Sequence, residues 1–261
     1  MALLALAKVS KSFGPVRALA GIDLNVEPGE VVGVMGDNGA GKSTLIRLIA
    51  GNFPPDAGTF VLDGRHVRFG NAAEARSAGI EAVYQDLALC NNLTAAANVF
   101  LGRELQLRVG PVRILDHEAM LARTAELLRE LGSKASPVDR VGQMSGGERQ
   151  AVAIARIRLG NAKIVVMDEP TAAMSLRQVA EVLNIIHRLK QAGIAVLFVS
   201  HRAEDIFAAS DRIVVLDRGR KILDRPTIEV TEAEISIVVS GVTRQPEAKK
   251  PVGGRECLCS R

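Results

Sequence analysis

The chain has 261 residues, 48% of them hydrophobic, with 33 basic and 29 acidic side chains for a formal net charge of +4. It is long for one compact lobe and short for two full domains, so one domain with a large insert is expected. One Tyr, no Trp and no basic run interleaved with aromatics argue against nucleic acid, no apolar run is long enough to span a bilayer, and three uneven cysteines exclude a disulfide framework and fit a reducing cytoplasm.

The N-terminal apolar stretch has no cationic region before it and no clear cleavage site, so no signal peptide is expected. Val31 to Met35 is a short apolar run that suits a strand buried on both faces of a parallel sheet. It leads into Gly36-Asp37-Asn38-Gly39-Ala40-Gly41-Lys42-Ser43, a full match to G-x-x-x-x-G-K-[S/T]. Ser43 to Ala50 then repeats apolar residues at helical spacing, and Gly51 stands where a C-terminal cap belongs. The glycines let backbone N–H groups curl around phosphate oxygens, and the helix start adds partial positive charge. Lys42 is expected to reach the β- and γ-phosphates and the Ser43 hydroxyl to ligate Mg²⁺, with Thr44 beside them in the nucleotide site.

From Asp86 to about Gly160 the chain is rich in Ala, Leu and Arg, with helical patterning around Asp116 to Leu131 and no strong strand. A helical insert is expected there. Near its end, Ser145-Gly146-Gly147 opens another helix, a second anion-binding helix start that offers a hydroxyl beside two backbone N–H groups. One chain thus owns two phosphate-binding surfaces separated by the insert. A head-to-tail pair resolves this: each Ser-Gly-Gly closes on the ATP of the partner, and a twofold axis closes the dimer.

Ile164 to Met167 is the next strand-like run, ending at Asp168, Glu169 and Pro170. An acidic residue at the tip of a strand neighbouring the phosphate loop holds Mg²⁺ in phosphate-loop NTPases, and Asp168 fits that role. Glu169, one residue on, is placed to activate water as a general base. Leu176 to Gln191 repeats apolar residues at helical spacing (Leu176, Val179, Ala180, Leu183, Ile186, Leu189). Ile194 to Val199 and Ile213 to Leu216 read as further strands, and the alternation predicts an α/β sheet with parallel strands at its centre. Beyond about Val242, Pro, Gly, Lys and Arg dominate and predict a mobile tail. Cys257 and Cys259 lie in it without a nearby His or further Cys, which reads as a pair of thiols.

These residues together resemble the ATP-binding cassette family over residues 1 to about 240. Walker A is Gly36 to Ser43, Walker B is Ile164 to Asp168, and the signature is Ser145 to Gln150, with Glu148 where many members carry Gln. The resemblance implies a RecA-like phosphate-loop core (1–85 and 161–241) with an antiparallel β edge, a helical signature subdomain (86–160) and a flexible tail (242–261). It implies ATP and Mg²⁺ as ligands. It also implies that Phe13, in Lys11-Ser12-Phe13-Gly14, stacks on adenine. Gln85 matches the glutamine loop, touching Mg²⁺ or the attacking water, and His201 matches the histidine that contacts the γ-phosphate and positions Glu169. His66, His117 and His187 match no motif.

Within the family, Glu74 to Leu89 and Val99 to Glu104 are similar to the monosaccharide importers. Most members carry an Asp where this chain has Ser175, a replacement typical of the same branch. The resemblance implies an ATP-hydrolysing subunit on the cytoplasmic face of a membrane, working with transmembrane permease subunits, a second copy of itself and, indirectly, an extracytoplasmic sugar-binding protein. A DNA-repair ATPase would need a long coiled coil between Walker A and the signature, and no sustained heptads occur there. A translation-type protein would carry two cassettes. A non-hydrolysing regulator would lack Lys42, Glu169 or His201, all present. An exporter or lipid-handling cassette is the runner-up.

Overall fold

The computed structural model describes residues 2–83, 89–172 and 174–240. The chain opens with β1 (Leu4–Phe13), β2 (Val16–Val26) and β3 (Val31–Gly36), followed by α1 (Lys42–Ile49), β4 (Ala57–Leu62), β5 (Arg65–His66), α2 (Ala72–Ser77) and β6 (Ile80–Val83). The middle holds α3 (Ala95–Val99), β7 (Gln106–Val109), β8 (Val112–Leu115), α4 (His117–Glu130) and α5 (Gly146–Leu159). Then come β9 (Ile164–Asp168), α6 (Leu176–Gln191), β10 (Ala195–Val199), α7 (Ala203–Ala209), β11 (Arg212–Asp217), β12 (Arg220–Pro226) and α8 (Glu232–Ser240).

The central sheet runs β12-β11-β3-β10-β9-β6, parallel throughout except for the antiparallel edge strand β12. A second sheet, β2-β1-β4-β5, is antiparallel. Strand period decides which core each residue joins. Val32, Val34, Val166, Leu197, Val199, Val214 and Leu216 face α1 and the antiparallel sheet. Their sequence neighbours Val31, Met35, Val165, Met167, Val196, Phe198, Ile213 and Val215 face α6 and α7. Being covered on both sides is what makes these strands legible as unbroken apolar runs.

The middle segment has a third core, built from Val99, Phe100, Met120, Leu127, Leu128, Val141 and the Ala151, Val152 and Ala155 face of α5. Ile154 and Ile157 of the same helix belong to the core behind the parallel sheet. α5 is therefore buried on two sides and joins the helical segment to the sheet.

Two expectations need correction. The middle segment is not free of strands: β7 and β8 pair as an antiparallel hairpin turning at Gly110. All four residues of β8 are exposed, so its apolar Val112, Ile114 and Leu115 join none of the three cores. In α6 the buried face is Val179, Val182, Ile185, Ile186 and Leu189, while Leu176 is 78% exposed and Ala180 is exposed too. The helix begins at its Ser175 cap, and its first turn stands clear of the core. Among the described residues no helix is long and apolar enough to cross a membrane. Gln85 and the tail with Cys257 and Cys259 lie outside the described residues.

Candidate active site

The phosphate loop sits between β3 and α1, pinned by backbone approaches that only glycine permits. Gly36 has φ 146°, and a Cβ there would stand 2.2 Å from the Leu216 carbonyl oxygen. Gly41 has φ 102°, with the Ala18 carbonyl oxygen 2.5 Å from the same point. The loop is thus clamped between β11 and β2. Gly41 is also the N-cap of α1 and brings no side-chain cap, so the first N–H groups of the helix are available to an anion. Lys42 is only 7% exposed; its Nζ donates to the carbonyls of Gly36 (2.8 Å) and Asp37 (2.9 Å). An ammonium has three donors, so one remains for a phosphate oxygen. Asp37, Asn38 and Gly39 form the exposed rim of the loop, above the buried Ala40.

Next to the loop lie the acidic groups. The Ser43 hydroxyl donates to Asp168 Oδ1 at 2.9 Å, joining the start of α1 to the tip of β9. Hydroxyl and carboxylate oxygens are hard donors that suit Mg²⁺, and this ion takes only one or two protein ligands when phosphates supply others. No group of three or more His, Cys, Asp and Glu side chains able to hold a metal occurs among the described residues.

Glu169 follows with φ 50°, a left-handed conformation that non-glycine residues adopt at a cost of about 1–3 kcal/mol. Its N–H is fixed by the Val199 carbonyl (3.1 Å), so the kink turns the carboxylate out of the strand line toward the loop that follows β10. There His201 Nδ1 lies 3.7 Å from Glu169 Oε2.

Sequence reasoning missed the support behind this pair. The Thr171 hydroxyl donates to Asp205 Oδ2 at 2.6 Å, with Thr171 and Asp205 each 2% exposed, and Arg202 Nε stands 3.7 Å from Asp205 Oδ1. Thr171 is two residues past Glu169 and Asp205 four past His201, so the buried bond sets the loop after β9 against the first turn of α7. A short-range polar pattern gives no sign of it.

Phe13 ends β1 at the tip of its hairpin with β2, 48% exposed. Phe53 meets it edge to face at 5.2 Å, and Lys11 Nζ lies 5.7 Å from its centroid. Asp56 locks Lys11 (2.7 Å) and accepts from the Ser12 N–H. The lysine bond first, and the Ser12 N–H second, hold the Asp56 carboxyl below its ordinary pKa. An exposed aromatic held by such a frame is a ready stacking platform.

Ser145, Gly146 and Gly147 lie elsewhere. Ser145 caps α5: its hydroxyl accepts from the Glu148 N–H, and the Glu148 carboxylate accepts from the Ser145 N–H at 2.9 Å. That N–H, then the hydroxyl, hold the Glu148 carboxyl below its ordinary pKa. Ser145 and Gly147 are exposed. α5 packs against α3, α4 and α6, whereas α1 packs against β2, β3, β9 and β10. The structure therefore brings Lys42, Ser43, Asp168, Glu169 and His201 together and leaves the Ser-Gly-Gly start apart from them.

A sequence model described as "ABC transporter" matches residues 19–172. The xylose/arabinose import ATP-binding protein of Sulfolobus acidocaldarius is 42% identical over 239 residues, 91% of this chain and 94% of that protein. The ribose import ATP-binding protein of Geobacillus kaustophilus is 41% identical over 233 residues, 89% of this chain but 47% of that protein, so the chain spans about half the length of such relatives. Among solved structures, an ATP-binding cassette of an ABC transporter in its ADP conformation superposes with a TM-score of 0.75 at 27% identity, covering 92% of this chain and 95% of that one. A dimeric cassette in a post-hydrolysis state, bound to ADP and Pi, gives a TM-score of 0.64 at 26% identity over 86% of this chain and 98% of that one.

Proposed function

This chain belongs to the ABC transporter family, as an ATP-hydrolysing subunit, and from that premise we propose that it powers uptake of a monosaccharide. The observation that carries the hydrolytic reading is the Ser43–Asp168 hydrogen bond beside the Glu169–His201 pair, which joins four motif residues in one place. The observation that supports the cargo is the 42% identity, over nearly the full length of both chains, to a protein named for xylose and arabinose import.

In this reading the loop from Gly36 to Thr44 wraps the phosphates, with Lys42 on the β- and γ-phosphates, and Phe13 stacks on adenine. Ser43, Asp168 and Gln85 would hold Mg²⁺, which when bound supplies positive charge to the phosphate oxygens. The Glu169 carboxylate takes a proton from water as the water oxygen attacks the γ-phosphorus. The bond from that phosphorus to the bridging oxygen breaks, and ADP and phosphate leave. His201 orients Glu169 and meets the γ-phosphate.

Ser145, Gly146 and Gly147 close on the ATP of a second copy, so ATP draws two chains together and hydrolysis releases them. Residues 1–85 and 161–241 form the ATP-binding core and 86–160 the helical subdomain, which carries the motion to permease subunits at the cytoplasmic face. An extracytoplasmic binding protein delivers the sugar.

Deleting the gene for this chain from its host is expected to stop growth on one or a few monosaccharides and to spare others. Glu169→Gln alone should lower uptake of the labelled sugar in proportion to its turnover. A deletion host that imports every monosaccharide tested but accumulates a lipid or drug would move the assignment to an exporter.

A further inference from the structure

Two strings to which the sequence assigns no chemistry of their own, Ile80–Val83 and Val99–Glu104, meet in space. Glu81 lies on the edge strand β6 with its side chain only 7% exposed. Its Oε2 accepts from Arg103 Nη2, and Arg76 Nε stands 3.8 Å away. The other fork of the same guanidinium, Nη1, donates at 3.3 Å to the carbonyl oxygen of Arg156, on the last turns of α5.

Gly160 caps that helix, and a Cβ there would stand 2.2 Å from Arg103 Nη1. Its φ of −78° suits any residue, so the backbone does not ask for glycine. What the glycine gives is room for the guanidinium. One planar fork thus ties the sheet, on Glu81, to the C-terminal end of the helix that starts at Ser145.

Position matters here because α5 is a rod. Over its 14 residues it reaches about 20 Å from the Arg103 contact to Ser145. A small tilt at the pinned end therefore displaces the Ser-Gly-Gly start. β6 also pairs in parallel with β9, the strand that ends in Asp168, so the pin refers α5 to the strand carrying the acidic groups.

We propose that Glu81, Arg103 and Gly160 form a latch that fixes the angle of α5 against the parallel sheet, making Glu81 and Arg103 positioning residues for ATP hydrolysis that act through Ser145 without touching nucleotide. This rests on the reading of Ser145 to Gly147 as the surface that closes on a partner's ATP.

Two variants probe the latch with both charges kept. Arg103→Lys keeps a cation beside Glu81 but cannot span to the Arg156 carbonyl. Gly160→Ala displaces the flexible end of Arg103 and leaves the backbone unstrained. In the full-length chain, nucleotide affinity (read with a fluorescent ATP analogue) and thermal midpoint should stay near parental in both. Turnover at saturating ATP should fall on the order of ten- to a hundred-fold, the scale of loss from a misplacement of about 1 Å. The double variant should fall no further than the weaker single one, because both remove the same contact.

Parental turnover in both variants, losses that multiply, or affinity that falls in step with turnover would each overturn the latch. Ser145→Arg serves as the reference. If it kills turnover while the latch variants do not, the latch alone fails; if it leaves turnover parental, the Ser145 reading fails and the latch with it.

Discussion

The phosphate loop and the Ser145 helix start, the two turns proposed to share an ATP, are both glycine-rich and head a helix, yet they are built in opposite ways. The loop is wedged between β2 and β11 at contacts too close for any side chain, and Lys42 is already folded onto its carbonyls. Ser145 and Gly147 are exposed, and the cap hydrogen bonds are satisfied locally within one turn. A half-site made by the core is preformed by packing. The surface turn is preformed only as a helix cap, and in the proposed reading a second chain completes it. The contrast is what a nucleotide sandwiched between two copies requires.

The largest expected effects lie at the core end. Glu169→Gln should lower turnover by roughly 10²–10⁴-fold, the usual contribution of a general base, and leave nucleotide affinity in place. Lys42→Ala should weaken binding itself, by about 1.5–3 kcal/mol for a charge-assisted bond to phosphate. Equal loss of affinity in both variants, measured by calorimetry, would refute this division of roles.

Next come matched glycine substitutions. Gly41→Ala places a Cβ against the Ala18 carbonyl at φ 102° and should cost at least about 1–3 kcal/mol. In a chain of this size that lowers the melting midpoint by several degrees, at ~2–4 °C per kcal/mol. Gly147→Ala meets open space inside a helix and should raise stability by about 0.5–1 kcal/mol. Similar melting shifts in the two variants would erase the contrast between a packed and an exposed half-site.

The smallest effect is the acid behaviour of the α5 cap. The Ser145 N–H and hydroxyl depress the Glu148 carboxyl, so its contribution is present above the ordinary glutamate pKa of about 4.3. It is lost as pH falls through the lower folded value. The melting difference between the parent and Glu148→Ala should therefore be present at neutral pH and close in acid. A difference that stays constant down to acid pH would mean the cap does not depend on the carboxylate's charge.

Legibility in the sequence followed burial. β3, β9, β10 and β11 are covered on both faces and stand out as apolar runs, and the loop after β3 announces itself by its glycines and Lys42. The β7–β8 hairpin escaped because its strands are only four residues long, although the alternation of Leu107 with Val109 and of Val112 with Ile114 about Gly110-Pro111 marked it. The residues that hold the site in place were hidden for another reason. Thr171–Asp205, Lys11–Asp56 and Glu81–Arg103 are polar pairs joined 22 to 45 residues apart, and no periodicity encodes which partner each will find.

The central claim is that the two half-sites meet on one ATP from opposite chains. Mixing Lys42→Ala with Ser145→Arg tests it directly, because the mixed dimer regains one intact site while neither variant alone has any. Light scattering should show ATP-dependent pairing in the mixture above that of the separate variants. Pairing in the mixture no greater than in either variant alone would contradict the shared site.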